Sequence, residues 1–310
     1  MEIIHKDKKI TEPLALTMGS FDGVHKGHLG LIKQLKDLAT PSNYKTAILT
    51  FVPHPKLYFD KSGKFKLLNT LEEKIEQLEK TGVDYLILQE FNQDFGSQEP
   101  EDFIKKLKDN YNLKLLLMGY DHHFGKDKKG DYKHVKSLED SLDFETLLIK
   151  PVLIDGVPIS SSRIRSLVQN GEVEKANELL GYPFLIQGKV VSGNRFGNQL
   201  GFPTANINLN SDHKILPKQG VYIVKSPIDG NEYYGMMNLG VRPTINGTKQ
   251  IMEVHFFDFD KDIYGKDLKI EFLKPLRSEK KFPSLEALTQ QLKKDRELSL
   301  KWLKQKNLKK

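Results

Sequence analysis

Cysteine is missing altogether from the 310-residue sequence. Without it the protein can form neither disulfides nor thiolate metal sites, cannot use a cysteine nucleophile, and needs no oxidising compartment. No apolar run approaches the roughly 18 to 20 residues that a bilayer-spanning helix requires, and the first ten residues, MEIIHKDKKI, lack the apolar core of a signal peptide. These absences lead us to expect a cytoplasmic protein.

Two common phosphate-binding motifs are also absent, since the sequence contains neither a GxxxxGK[ST] loop nor a GxGxxG fingerprint. What the chain does have is positive charge. Its net charge of +7 favours anionic partners, although nucleic acid, phosphorylated metabolites and simple solubility would all account for it. Hydrophobic residues make up 38% of the chain and charged residues 29%, which is typical of a globular protein. The length favours two domains, because a single hydrophobic core is seldom this large.

Up to about residue 182, apolar runs that resemble buried strands alternate with amphipathic helical patterns. This alternation predicts an α/β domain with a parallel sheet. The strands are predicted at LALTM (14–18), YKTAILTF (44–51), DYLILQEF (84–91) and KLLLMG (114–119), and the helices at KGHLGLIKQLKDLA (26–39), TLEEKIEQLEKTG (70–82) and PEDFIKKLKDNY (100–111).

After about residue 184, short β-rich runs follow one another without helices between them, which predicts a sandwich or a small barrel. We expect the turn-rich connectors PIDGNE and TINGTKQ to separate some of these strands, and a packing helix to begin after Ser284 as its N-cap. The predicted domains are therefore residues 1–183 and 184–310. The runs are FLIQGKVVSG (184–193), GVYIVKS (220–226), YYGMMNLGV (233–241), MEVHFFDF (252–259) and DLKIEFLKPL (267–276).

The segment GSFDGVHKGH, residues 19–28, is the first candidate site. It joins a predicted strand to a predicted helix, and open α/β sheets bind ligands at that edge. Gly19 and Gly23 allow the backbone to approach a ligand, while His25 and His28, one turn apart at a helix N-terminus, favour an anion such as phosphate. A metal site is a weaker reading because a third ligand at suitable spacing is lacking. Two ordinary surface histidines remain an alternative.

This segment resembles the HxGH element of the nucleotidyltransferase superfamily, whose members transfer a nucleoside monophosphate from a triphosphate and release pyrophosphate. FVPHP (51–55), GYDHHFG (119–125) and ISSSRIR (159–165), in that order, resemble the adenylyltransferase half of the bacterial bifunctional riboflavin kinase/FMN adenylyltransferase family. In the second half, GNQLGFPTANI (197–207) is similar to the riboflavin kinase PTAN element, and NLGVRPTI (238–245) and MEVHFFDF continue the resemblance.

The resemblance covers essentially the whole chain. It implies a parallel-sheet nucleotidyltransferase (Rossmann-like) domain, followed by a small antiparallel β-barrel riboflavin kinase domain with a C-terminal helix. The first domain would transfer AMP from ATP to FMN, and the second would phosphorylate riboflavin with ATP. ATP, riboflavin, FMN, FAD and pyrophosphate are the implied ligands, with Mg²⁺ accompanying ATP and with FMN and FAD as substrate and product. No nucleic acid or membrane partner is expected.

The resemblance also assigns residues to the adenylyl site. His25 and His28 would be catalytic and phosphate-binding, and His54, Asp121 and Phe124 would contact the flavin. Two segments depart from the family pattern: GYDHHFG has His122 where Phe is usual, and ISSSRIR has Ser162 where Thr is usual. Serine keeps the hydroxyl, while the effect of His122 on FMN binding is open. The nucleotide- and phosphate-binding residues would be Gly19, Phe21, Asp22, Gly23, His25, His28, Ser161, Ser162 and Arg165, with Arg163 as a further cation.

In the kinase half, Gly197, Gly201 and Thr204 would bind the nucleotide. Thr204 and Asn206 would hold Mg²⁺, which prefers oxygen ligands. By resemblance, Glu253 would be the general base for the riboflavin hydroxyl and Arg242 would contact the flavin.

Two other functions are compatible with parts of the sequence. An RNA-binding or tRNA-charging protein would account for the charge and the HxGH element, but the chain is short for a synthetase and lacks a KMSKS stretch. A flavin sensor without activity would share the fold, yet both predicted sites retain their reactive side chains. Whether ATP turnover depends on riboflavin or on RNA separates the first of these from the enzyme.

Overall fold

A computed structural model describes residues 1–5, 8–120, 124–126, 129–193, 197, 200–244 and 247–308, with backbone alone for 242–244 and 247–249. The chain divides into two compact units, Met1–Ser161 and Ser162–Lys310. Across the described residues, no helix is both long enough and apolar enough to cross a membrane.

The first unit is built on a six-stranded parallel sheet in the order β1-β4-β3-β2-β5-β6. The parallel sheet predicted from the sequence is therefore confirmed, and two edge strands that the sequence analysis did not predict, β1 and β6, extend it. The sheet strands are β1 (Glu2–Ile4), β2 (Leu14–Met18), β3 (Lys45–Val52), β4 (Tyr85–Glu90), β5 (Leu113–Gly119) and β6 (Glu145–Ile149), and a short hairpin follows, β7 (Leu153–Ile154) and β8 (Val157–Pro158).

Helices cover the sheet because its strands have apolar residues on both faces. Leu14, Leu16 and Met18 of β2 belong to one core, whereas Ala15 belongs to the other, as the alternation of side chains along a strand requires. The helices of this unit are α1 (Lys26–Ala39), α2 (Pro55–Phe59), α3 (Leu71–Glu79), α4 (Gln93–Gly96), α5 (Pro100–Tyr111), α6 (Tyr132–Lys136) and α7 (Glu139–Leu142), with a 3₁₀ turn at Thr40–Ser42.

The second unit contains a closed antiparallel barrel in the order β10-β13-β12-β11-β14-β9, so the barrel rather than the sandwich is correct. One predicted connector, PIDGNE, is mostly strand: β11 runs to Ile228, β12 begins at Asn231, and Asp229 and Gly230, with φ of 48° and 78°, form the two-residue turn. Asp-Gly favours such tight hairpins. The barrel strands are β9 (Leu185–Val191), β10 (Ala205–Leu209), β11 (Gly220–Ile228), β12 (Asn231–Thr244), β13 (Gly247–Phe256) and β14 (Asp267–Ser278).

Helices α8 (Ser161–Gln169), α9 (Val173–Leu180) and α10 (Leu285–Gln305) complete the chain. The predicted N-cap is confirmed, since the Ser284 hydroxyl accepts a hydrogen bond from the Ala287 amide. Helix α9 belongs with the barrel, because the Asn177 side chain donates to the Phe272 carbonyl at 2.8 Å and accepts from the Phe184 amide at 2.6 Å.

Candidate active sites

A cavity of about 540 Å³ lies at the carboxyl edge of the parallel sheet in the first unit. The ends of β2, β3, β5 and β6 supply part of its wall, in agreement with the general location of ligand sites in open α/β sheets. The sequence-predicted residues that line it are Gly19, Phe21, His25, His28, His54, Phe124 and Ser161.

The turn between β2 and α1 is strained. Phe21, Gly23 and Val24 have φ of 46°, 88° and 35°, which is the left-handed region. For residues other than glycine this conformation costs about 1–3 kcal/mol each, and it persists only where the surroundings impose it. Phe21 and Val24 are both buried in the core beneath the turn. Burial of these two side chains thus fixes the backbone that leads into His25.

His25 is the N-cap of α1, and its Nδ1 accepts a hydrogen bond from the His28 amide at 3.4 Å. The two imidazole rings stack with centroids 3.7 Å apart, and Phe21 lies 4.9 Å from the His28 ring. Gly27 makes this packing possible, because a Cβ at that position would lie 3.0 Å from the His25 ring. Since Nδ1 accepts, the neutral His25 ring carries its proton on Nε2.

His54 repeats this arrangement at the start of α2. Its Nδ1 accepts from the Lys56 amide at 3.0 Å, and its ring lies 5.2 Å from that of Phe65. The neutral His54 ring therefore also carries its proton on Nε2. Two cavity residues, His25 and His54, thus cap helices through Nδ1.

Asp22 does not line the cavity and is completely buried. Its carboxylate accepts from the amides of Leu68 at 2.9 Å and Asn69 at 3.2 Å, and its carbonyl accepts from the Ser161 hydroxyl at 2.8 Å. Asp22 therefore joins the turn to two other segments of the first unit.

Several sequence-predicted residues of this site are placed elsewhere or not described. Ser162, Arg163 and Arg165 follow Ser161 in α8 but belong to the second unit. Asp121 and His122 lie outside the described residues.

Lys74 of α3 is a residue that the sequence analysis missed. It is only 5% exposed, and its ammonium donates to the Ser20 carbonyl at 2.8 Å and to the Thr50 hydroxyl at 3.2 Å. Burial lowers the pKa of Lys74 from 10.5 to about 8, and attraction to Asp22 opposes that shift. A signal was present, since Lys74 lies at helical spacing from Leu71 and Leu78, on the face that should be apolar.

A second cavity, of about 510 Å³, lies in the barrel unit and is lined by Gly197, Thr204, Asn206 and Glu253. The strand register explains why they meet. Asn206 pairs with Glu253, and Glu253 pairs with Asn238. Val221 pairs with both Asn238 and Arg277, so one row of cavity residues crosses five strands of the barrel. Within this row, the half-buried Glu253 lies between the polar residues Asn206 and Asn238.

Neutral oxygen donors and close backbone packing mark one end of this cavity. A Cβ at Gly193 would lie 2.0 Å from the Asn206 amide nitrogen, and one at Gly197 would lie 3.2 Å from the Thr204 hydroxyl. A Cβ at Gly197 would also lie 2.3 Å from the Phe202 carbonyl, so glycine is required there, whereas at Gly193 the Asn206 side chain would have to move. The hydroxyl and amide oxygens of Thr204 and Asn206 fit Mg²⁺, which takes few protein ligands and shares the rest of its shell with phosphates and water.

Gly201 lines an adjacent cavity of about 710 Å³, which shares Leu200, Phe202 and His255 with the second cavity. His255 Nδ1 lies 2.8 Å from the Pro203 carbonyl and must donate to it, and burial lowers the pKa of His255. Arg242 is on β12, but its side chain lies outside the described part of the chain.

The sequence analysis also missed polar residues in the barrel cavity. Arg277 is bound by Asp295 of α10, with Nε and Nη2 at 2.9 and 2.8 Å from one carboxylate oxygen. Glu279 lies over Gly240, where a Cβ would be 2.4 Å from its Oε1. Asn238 could have been noticed as the single polar residue in the apolar run MMNLGV. The residues that lie beside it in the barrel follow only from the strand register.

Comparison with known proteins gives concordant results for both units. A family model described as FAD synthetase matches residues 7–163, and one described as riboflavin kinase matches residues 180–303. A bifunctional riboflavin kinase/FMN adenylyltransferase from Bacillus subtilis is 38% identical over 312 residues, covering 97% of each chain. The protein of the same name from Haemophilus influenzae is 37% identical over 294 residues, covering 94% of this chain and 95% of that one.

The fold also matches a solved structure along the whole chain. A crystal structure named as a macrolide-efflux protein from Streptococcus pneumoniae has a TM-score of 0.90 and 32% sequence identity, with 97% of this chain and 100% of that chain covered.

Proposed function

The chain belongs to the family of bifunctional riboflavin kinase/FMN adenylyltransferases, and from this premise we propose which residues perform each reaction. The C-terminal unit phosphorylates riboflavin with ATP to give FMN. The N-terminal unit couples FMN to AMP from a second ATP, which gives FAD and pyrophosphate. The observation that carries this assignment is the order of the two family models along the chain, each of which contains one of the two cavities with reactive side chains.

In the adenylyl site, His25 and His28 bind the triphosphate. The cap on α1 fixes the His25 ring in the cavity wall, and donors placed where charge develops stabilise the transition state. Gly19 and Gly23 bring backbone close to the phosphates, and Ser161 is held beside them by the Asp22 carbonyl. Asp22 acts through the shape of the turn, since its carboxylate is engaged by two amides.

The flavin of FMN lies against Phe124 and near His54, both of which line the same cavity. Phe21 supports the His28 ring from the core side. Ser162, Arg163 and Arg165 contribute hydroxyl and cationic groups to the triphosphate, and Asp121 lies near the adenylyl site, as the family motif implies. Catalysis depends mainly on positioning the two substrates, because the FMN phosphate attacks the α-phosphorus in line. Pyrophosphate leaves without a covalent enzyme intermediate.

In the kinase site, Thr204 and Asn206 hold Mg²⁺ together with the ATP phosphates, and the backbone at Gly197 and Gly201 approaches the nucleotide. Bound Mg²⁺ would neutralise charge on the phosphates. Glu253 accepts the proton of the riboflavin 5′-hydroxyl as that oxygen attacks the γ-phosphorus, and ADP leaves. Phe282, Leu288 and Leu292 form an apolar part of the cavity that suits a flavin ring. By the family resemblance, Arg242 would contact the flavin.

The proposed functional domains are residues 1–183 and 184–310, whereas the second compact unit begins earlier, at Ser162, and includes α9. The lack of cysteine supports a cytoplasmic location without disulfide chemistry. No nucleic acid takes part in either reaction. The test is to incubate the protein with riboflavin and Mg-ATP and to separate the flavins over time. FMN should appear first and FAD after it; ATP turnover that requires RNA, or none with riboflavin, would refute the proposal.

A further inference from the structure

The strained turn that carries the phosphate-binding histidines has a buried cation beneath it. We propose that Lys74 is a positioning residue for adenylyl transfer: its ammonium holds the Ser20 carbonyl and neutralises Asp22, and this keeps turn 19–25 in the shape that presents His25 and His28 to the cavity. The inference rests on the proposed function of that cavity.

Lys74 acts through other residues rather than on the substrate. Lys74 does not line the cavity. Its ammonium donates its hydrogen bonds to groups that support the turn. The Ser20 carbonyl receives hydrogen bonds from Lys74 and also from the Thr50 hydroxyl at 3.1 Å. Lys74 thus fixes the backbone one residue before Phe21, where the left-handed conformation begins.

The turn needs this support because its strain must be imposed from outside. The backbone at Phe21 and Val24 would relax if the groups around it allowed other conformations. Segment 68–74 constrains the turn twice: the amides of Leu68 and Asn69 bind the Asp22 carboxylate, and Lys74 binds the carbonyl of Ser20, two residues before Asp22.

Stability alone gives no reason for a lysine at this position. Burying a charge is costly, and an apolar side chain of similar length is often as stabilising as a buried ion pair, or more so. The opposite face of α3 leaves ample room for exposed lysines, yet this one is 5% exposed on the core side. Its charge is therefore retained for its effect on Asp22 and on the turn.

Protonation of Lys74 links the geometry to pH. The charged group that acts on it is Asp22 of the turn, and Glu73 is its neighbour on its own helix, where the Glu73 carboxylate accepts from the Thr70 amide; strand β3 contributes the uncharged Thr50. With a folded pKa of about 8, Lys74 loses its charge as the pH rises above that value.

Activity and stability should then respond in opposite directions. The folded pKa is below the unfolded value of 10.5, so the contribution of Lys74 to folding is least favourable below pH 8 and improves between pH 8 and 10.5. Adenylyl transfer should fall across the same interval, because the cation that holds the turn is being lost. A purely structural lysine would not produce that fall.

The test measures FAD formation from supplied FMN and Mg-ATP between pH 7 and 9.5. For the natural protein we expect kcat to fall as the pH rises through the pKa of Lys74 and to level off about tenfold lower, near the activity of a chain without this cation. Lys74→Met should lower kcat about tenfold at pH 7.5, with a smaller change in KM, and its remaining activity should not fall above pH 8. Lys36→Met is the matched control, because Lys36 also donates to a backbone carbonyl, that of Thr81, but away from the turn.

Riboflavin phosphorylation by the same preparations should be unchanged, and circular dichroism compared with the natural protein reports folding of the unit that contains Lys74. If Lys74→Met does not fold, Lys74→Arg decides, since a guanidinium stays charged to much higher pH and should abolish the fall above pH 8. A natural protein whose FAD formation stays level to pH 9.5, or a Lys74→Met variant with full kcat or with an unchanged fall, would overturn the inference. Failure of the natural protein to make any FAD would instead contradict the proposed function.

Discussion

His25 and His54 of the first unit each cap a helix and line the cavity with the same ring. Serine, threonine, aspartate and asparagine are the usual N-caps, yet His25 and His54 cap α1 and α2 through Nδ1. A hydroxyl or carboxylate would cap equally well, but imidazole keeps a donor on its far nitrogen. The cap thus orients each imidazole ring in the wall of the cavity.

Removing the His28 ring should separate the two activities. We predict that His28→Ala lowers FAD formation from FMN about 10²-fold or more, as loss of a charge-stabilising donor does, while riboflavin phosphorylation stays near that of the natural protein. Both rates can be measured on one preparation by chromatography of the flavins. If FMN production falls in parallel while the chain remains folded, the assignment of separate sites is wrong.

Glu253 is the corresponding residue in the barrel. Glu253→Gln keeps size and polarity but removes the base, so we predict a kinase rate lower by about 10² to 10⁴ with a modest change in riboflavin affinity. A smaller decrease would show that Glu253 mainly orients the hydroxyl.

Supplied FMN is the control for this variant, which should convert it to FAD at the natural rate. Full kinase activity in Glu253→Gln would remove Glu253 from the site, since no base would have been lost.

At the scale of elements, local patterns predict most helices and central strands. The predicted helix at 26–39 coincides with α1, because its apolar residues recur at helical spacing and His25 provides a cap. Strand β1 was missed since three residues carry too little pattern. Lys74 was overlooked because a helical pattern identifies the buried face but not the reason for a charge on it.

Long-range strand pairing determines the order of the strands and the set of residues in the barrel cavity, which local sequence patterns could not predict. The order β1-β4-β3-β2-β5-β6 follows from crossover connections, and the row from Asn206 to Arg277 follows from closure of the barrel. Motifs recognised by resemblance identified Thr204, Asn206 and Glu253 in advance. Arg277 and Glu279 have no such local signal, so only the folded barrel brings them into the cavity.

At the scale of the whole molecule, each unit has its own core and its own cavity. The net charge of +7 suits a protein that binds ATP, FMN, FAD and pyrophosphate, all of which are anions; riboflavin itself is uncharged. Two separate cores also imply that the units can be tested apart.

Fragments of the second unit should show where it must begin. We predict that residues 162–310 fold and make FMN but no FAD. A fragment of 184–310 lacks α9 and the two hydrogen bonds of Asn177, so it should keep the kinase cavity but unfold at a lower temperature. Thermal unfolding and FMN formation measure both. Equal melting temperatures would show that α9 is dispensable, and a folded 162–310 fragment without kinase activity would show that the first unit is needed.

The central claim is that one chain performs phosphoryl transfer and adenylyl transfer in succession, and isotopic labelling tests it most directly. With riboflavin and ATP labelled at the γ-phosphorus, the account predicts label in FMN and then in FAD. With ATP labelled at the α-phosphorus, it predicts label in FAD and none in FMN, because the adenylyl group enters only in the second reaction. Label from the α-phosphorus in FMN, or FAD that contains no γ-label when riboflavin is the starting flavin, would contradict the account.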